Sequence, residues 1–143
     1  MVYSAKVLDV IFLDEYEGSV KMQIAGRELY CWYQANEEFA EPYLKWRSTI
    51  QIDLWQTCHG DIEIVSSGEL RCVNLPPTHG YQLCGRVIEV FDLRKFRIDC
   101  GDFQVDIYNH YETILSVGMY VKFHGEFQIY FPNTEYSYEK VGY

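Results

Sequence analysis

The chain has 143 residues, 48% of them hydrophobic and 17% aromatic, with 12 Lys and Arg against 21 Asp and Glu. Aromatic content at that level excludes a disordered or low-complexity chain, and the length allows a real core in one ordinary domain or two very small ones. A net charge of −9 argues against a general polyanion or anionic-membrane binder, which needs a Lys/Arg surplus near phosphates.

The first residues, MVYSAKVLDVIFLDEYEG, break every apolar run with Lys6, Asp9, Asp14 or Glu15. Neither a signal peptide nor a membrane span fits there, and a mature chain starting near Met1 in the cytoplasm is expected. Five cysteines, at 31, 58, 72, 84 and 100, form no C-x-x-C pair. They read as thiols packed as small hydrophobes in a reducing compartment.

Alternation with period two then runs along the chain. Val20-x-Met22-x-Ile24, Ile50-x-Ile52-x-Leu54, Phe96-x-Ile98-x-Cys100, Phe103-x-Val105-x-Ile107 and Val121-x-Phe123 each predict a strand with one buried and one wet face. Ala25-Gly26, His59-Gly60-Asp61, Ser66-Ser67-Gly68 and Gly101-Asp102 predict turns between them. In Asn36 to Trp46, Asn36 can cap a short helical segment that Pro42 restricts. In the second half, Glu112 to Val117 leaves room for about one turn.

Residues 74–80, Asn-Leu-Pro-Pro-Thr-His-Gly, read as a linker. The expected division is one unit at 1–75, a linker at 76–80 and a second unit at 81–143, with 6 basic and 12 acidic residues before Pro76 and 6 and 9 from it onward. The two parts also match. Lys6-Val7-Leu8-Asp9-Val10 parallels Arg86-Val87-Ile88-Glu89-Val90, and setting Ile24 against Cys100 places Val20 on Phe96, Met22 on Ile98 and Leu29 on Val105. An internal duplication is expected.

A strand, a two-strand hairpin, a short helical segment and a final pair is the order of an OB-fold barrel. Val117-Gly118-Met119-Tyr120-Val121-Lys122-Phe123-His124-Gly125-Glu126-Phe127 resembles the fourth-strand pattern of many OB domains. It is similar to the corresponding stretch of bacterial single-stranded-DNA-binding proteins. The resemblance, mainly over residues 81–131, implies an OB-like β-barrel in the second half. The first half lacks the glycine pair, with Ser48-Thr49 and Leu54-Trp55 in those places. Only the internal repeat extends the reading to an all-β protein of two small OB-like β-barrels in tandem, with the helical segment in the first. One larger barrel or sandwich is the competing architecture. The fold type alone does not fix a function.

Chemistry-bearing motifs are sparse. His59, His79, His110 and His124 are scattered, and no nucleophile elbow, P-loop or dinucleotide motif occurs, so no catalytic residue and no cofactor is expected. Cys58, His59 and Cys72 lack a fourth ligand, so no metal site is expected. Asp14-Glu15-x-Glu17 and Glu37-Glu38-x-x-Glu41 read as solvated acidic loops.

The aromatic residues carry more. If Val20, Met22, Ile24, Leu29 and Cys31 face the core, Tyr30 and Trp32 face away, and Trp55, Tyr108, Tyr120 and Tyr130 also fall on the outer phase. Large rings on a wet face call for an explanation. Either the two halves pack on each other or on loop 34–48 with Phe39, Tyr43 and Trp46 and so cover them, or the rings mark contacts with a partner. With Trp46, the residues Tyr30, Trp32 and Trp55 are the candidate anchors of a partner-protein or homodimer surface. The leading expectation is a non-enzymatic, immunity-like or adaptor-like module whose acidic surface draws a basic partner protein. The alternative is a single-stranded nucleic-acid binder using Arg94, Lys95, Arg97, Tyr108 and Tyr120, where rings stack bases and cations meet phosphates. Arg94-Lys95-x-Arg97 is the one basic cluster, and a solvated hairpin loop is its ordinary explanation.

Overall fold

A computed structural model describes residues 1–13, 17–34, 44, 49–75 and 79–131, with the backbone alone at Phe12 and His59. Within these the protein is all-β. The strands are β1 (Val2–Phe12), β2 (Glu17–Ile24), β3 (Arg27–Gln34), β4 (Thr49–Val65), β5 (Arg71–Asn74), β6 (Gly80–Val90), β7 (Lys95–Asp99), β8 (Gln104–Asn109) and β9 (Tyr120–Tyr130). They hydrogen-bond in the order β1-β2-β3-β9-β4-β8-β7-β6-β5, with β1–β4 and β9–β6 pairing as well. Eight strands are thereby linked by pairing into a closed cycle, and β5 adds to β6.

The chain divides into two compact units, one of residues 2–54 and 128–143, the other of Met1 and residues 55–127. Strands β4 and β9 each contribute to both. This pairing does not show the expected tandem of two separate barrels. One cause lies in β4, a 17-residue strand that runs straight through the turn expected at 59–61. Gly60 takes φ +92°, a conformation that side chains disfavour, and the strand continues past it.

In the unit of residues 2–54 and 128–143, β1, β2 and β3 form an antiparallel meander, and β1 also pairs with Thr49–Asp53 of β4. The β2–β3 hairpin turns at Ala25 and Gly26, both with positive φ, the geometry that matches strand twist. The expected inward set holds: Val20, Met22, Ile24, Leu29 and Cys31 are buried, with Ile50, Ile52 and Leu54. Each such side chain contributes about 1.5–3 kcal/mol on burial.

In the unit of residues 55–127, β6, β7 and β8 form a second antiparallel meander, β9 pairs with β6, and β8 runs parallel to β4 at Trp55–Cys58. Phe96, Ile98, Cys100, Phe103, Val105, Ile107, Val121 and Phe123 are buried. Phe127 lies edge-on to Tyr81, with ring centroids 4.8 Å apart.

The two meanders share their irregularity. The β1–β2 register runs from Val7↔Met22 to Asp9↔Lys21, leaving Leu8 as a bulge; β6–β7 runs from Val87↔Ile98 to Glu89↔Arg97, leaving Ile88. These are the pairs that the sequence alignment sets against each other.

The expected helical segment at 36–46 lies outside the described residues except for Leu44, and so do residues 76–78 of the expected linker. Residues 112–116 form no helix; a turn follows, closed by Met119 N–H donating to the Ser116 carbonyl at 3.1 Å. No helix among the described residues is long and apolar enough to cross a membrane.

Candidate interaction site

On the outer face of the unit of residues 55–127, register sets Trp55, Asp106, Arg97 and Glu89 in one row across β4, β8, β7 and β6. A neighbouring row holds Thr57, Tyr108 and Lys95. Alternation puts these side chains outside because their neighbours Phe96, Ile98, Val105 and Ile107 fill the inside.

The first row is an ion-pair network. Arg97 donates Nε to Asp106 Oδ1 at 2.7 Å and Nη2 to Oδ2 at 3.4 Å, while Nη1 reaches Glu89 Oε2 at 3.2 Å. Its guanidinium also lies 5.3 Å from the centroid of the Phe91 ring. The α-amine of Met1 meets Asp106 Oδ2 at 2.8 Å. Asp106 is only 5% exposed, and a buried carboxylate is tolerated because cations answer it. Of the basic cluster, Arg94 is exposed in the β6–β7 loop, while Lys95 and Arg97 belong to β7 and Arg97 is paired with two carboxylates.

Trp55, Tyr108 and Tyr120 are half-buried, and Lys95 Nζ stands 6.0 Å from the Trp55 ring centroid. Tyr120 lies on β9, paired with Arg86 of β6. Tyr30 and Trp32, also half-buried, share the outer face of β3 in the other unit. Beside them Lys21 Nζ binds Glu28 Oε2 at 3.2 Å, and this hydrogen bond holds the Lys21 amine above its ordinary range. Trp46 lies outside the described residues. Tyr130 departs from the expected outer phase: it is buried, as are Phe127, Gln128, Ile129 and Phe131 around it, so both faces of the end of β9 are covered.

Among the described residues the most exposed apolar group lies elsewhere, at the tip formed by the β6–β7 loop and the segment after β8. Phe91, Leu93, Tyr111 and Ile114 are 44%, 49%, 66% and 81% exposed. Backbone hydrogen bonds tie the two loops together: Asn109 N–H donates to the Arg94 carbonyl at 2.8 Å and Thr113 N–H to the Leu93 carbonyl at 2.9 Å. Within the loops Asp92 Oδ1 accepts from the N–H groups of Arg94 and Lys95 at 2.7 and 2.9 Å, and Asn109 Nδ2 donates to Thr113 Oγ1 at 2.9 Å. The exposed side chains stand on a fixed backbone. The sequence carried a signal for them, since Val90-Phe91-x-Leu93, Tyr111 and Ile114 are large apolar residues outside every alternating run, where turns are ordinarily polar.

No group of three or more His, Cys, Asp or Glu among the described residues could hold a metal ion. Cys58 is buried and its thiol donates to the Gly60 carbonyl at 3.6 Å; burial, with the nearby charge of Asp61, pushes its pKa up to about 11. Comparison with family models, with curated proteins and with solved structures returned no match to this chain.

Proposed function

We propose that the protein is a non-enzymatic interaction module, immunity-like or adaptor-like, that binds another protein through the Phe91–Leu93–Tyr111–Ile114 tip. The observation that carries this reading is a cluster of highly exposed apolar side chains on loops fixed by their own hydrogen bonds. Exposed apolar clusters mark contacts, and a preformed one loses little entropy on binding. The partner offers an apolar recess. The −9 charge of the chain favours a basic rim around it, which speeds association more than it deepens affinity. Trp55, Tyr108 and Lys95 on the adjoining strands extend the contact.

The finer architecture belongs to the same proposal: each meander, β1-β2-β3 and β6-β7-β8, is the start of an OB-like barrel, and the two arose by duplication. The matched bulges at Leu8 and Ile88, with matched registers on either side, support it. The five free thiols suit a reducing compartment such as the cytoplasm.

Single-stranded nucleic-acid binding through Arg94, Lys95, Arg97, Tyr108 and Tyr120 is less favoured, because Arg97 is paired with Asp106 and Glu89. Two measurements on the purified chain separate the readings. In a low-salt gel shift with mixed single-stranded oligonucleotides we expect no retardation. In affinity capture from the host at physiological salt we expect one protein, identified by mass spectrometry, that rebinds when purified. Retardation that weakens with salt, together with no rebinding protein, overturns the proposal.

A further inference from the structure

A second site lies on the unit of residues 55–127, away from the tip. A cleft of about 260 Å³ opens beside β5, β6 and the start of β9, lined by Glu69, Arg71, Cys84, Tyr120 and Lys122 among others. Register explains its form. Cys84 of β6 pairs with Arg71 of β5 on one side and with Lys122 of β9 on the other. Neighbouring strands lie about 4.8 Å apart, so a small thiol forms the floor between two long cations. Tyr120 stands two residues from Lys122, on the same face of β9.

The cations are uncompensated. Arg71 Nη2 donates to the neutral amide oxygen of Gln82 at 3.2 Å, and Gln82 Nε2 lies 3.3 Å from His124 Nε2. Among the described residues no carboxylate pairs with Arg71 or Lys122. In a chain with nearly twice as many acids as bases, two cations held free around a recess stand out. Arg suits the planar, multi-oxygen face of a phosphate, and Lys adds a point charge.

We propose that this cleft binds a 5′-nucleotide. The phosphate sits over Cys84 between Arg71 and Lys122, Glu69 accepts a hydrogen bond from a sugar hydroxyl, and the base lies against the Tyr120 ring. The cleft shares no residue with the apolar tip, so its test stands apart from that of protein binding.

Cys84 supplies the readout, because the other four cysteines are buried and it is only partly so. Alkylation of the full chain by iodoacetamide is followed by mass spectrometry with 5′-AMP, adenosine, inorganic phosphate or a short oligoadenylate present. We expect 5′-AMP to slow modification of Cys84 several-fold, half-maximally at or below about 1 mM, while adenosine and phosphate alone do not. We expect protection to vanish in Arg71→Gln and in Lys122→Gln, with Tm unchanged. Stronger protection by 5′-AMP than by oligoadenylate, per nucleotide, identifies the free nucleotide, and the reverse order overturns the proposal in favour of a strand. Absence of protection by either, protection that survives both substitutions, or equal protection by phosphate alone (an adventitious ion only) overturns the proposal.

Discussion

Asp106 shows how much one residue decides. Its carboxylate is almost fully covered and takes both Arg97 and the Met1 amine. Removing one partner of a buried pair leaves a charge without full compensation, and that cost exceeds the net worth of the pair. We expect Arg97→Met to lower the unfolding free energy in urea by about 1–3 kcal/mol, and adding Asp106→Asn to recover part of it. A second expectation concerns pH. The Cys58 thiol titrates near 11 in the folded chain against an ordinary 9.0. A raised folded-state pKa gives stability that is complete below the unfolded value and is lost as pH climbs through the folded one. Thermal stability should therefore fall between about pH 9 and about pH 11, and Cys58→Val should flatten that slope. An equal slope in the variant would show that another group is responsible.

Among the elements, β4 and β9 set the limits of what sequence reveals. A Cβ at Gly125 of β9 would overlap the Gln56 side-chain oxygen and the Thr57 carbonyl of β4, so this glycine permits the close approach of the two strands. We expect Gly125→Ala to destabilise by about 1–3 kcal/mol, as overpacking does, with no change in the sheet content seen by circular dichroism. The hairpins β2–β3 and β7–β8 were legible because Val20 to Cys31 and Phe96 to Ile107 alternate strictly around short turns. The correspondence of Lys6–Val10 with Arg86–Val90 was legible as matched residues, but the bulges at Leu8 and Ile88 were not. The length of β4 was not, because His59-Gly60-Asp61 has the composition of a turn and only its neighbours' hydrogen bonds carry the strand onward. Nor was the parallel pairing of β4 with β8, which is a choice of partner and leaves no local pattern. Of the candidate site, alternation placed Trp55, Tyr108 and Tyr120 on an outer face. The tip escaped because Leu93, Tyr111 and Ile114 belong to no period.

At the scale of the whole molecule, the acidic composition and the exposed tip combine in the function we propose: charge would bring a basic partner in, and apolar side chains on fixed loops would hold it. Rim charges chiefly set association rates and a few buried apolar anchors set affinity. Raising salt should then slow association with the captured partner much more than it speeds dissociation. The central claim is the tip itself, and titration of the purified partner into wild-type chain and into Leu93→Asp/Ile114→Asp tests it most directly. Both residues are exposed, so the double variant should unfold within about 0.5 kcal/mol of wild type. The account predicts a loss of about a hundredfold in affinity, the worth of two anchors at roughly 1–2 kcal/mol each. Unchanged affinity in a normally folded variant would contradict it.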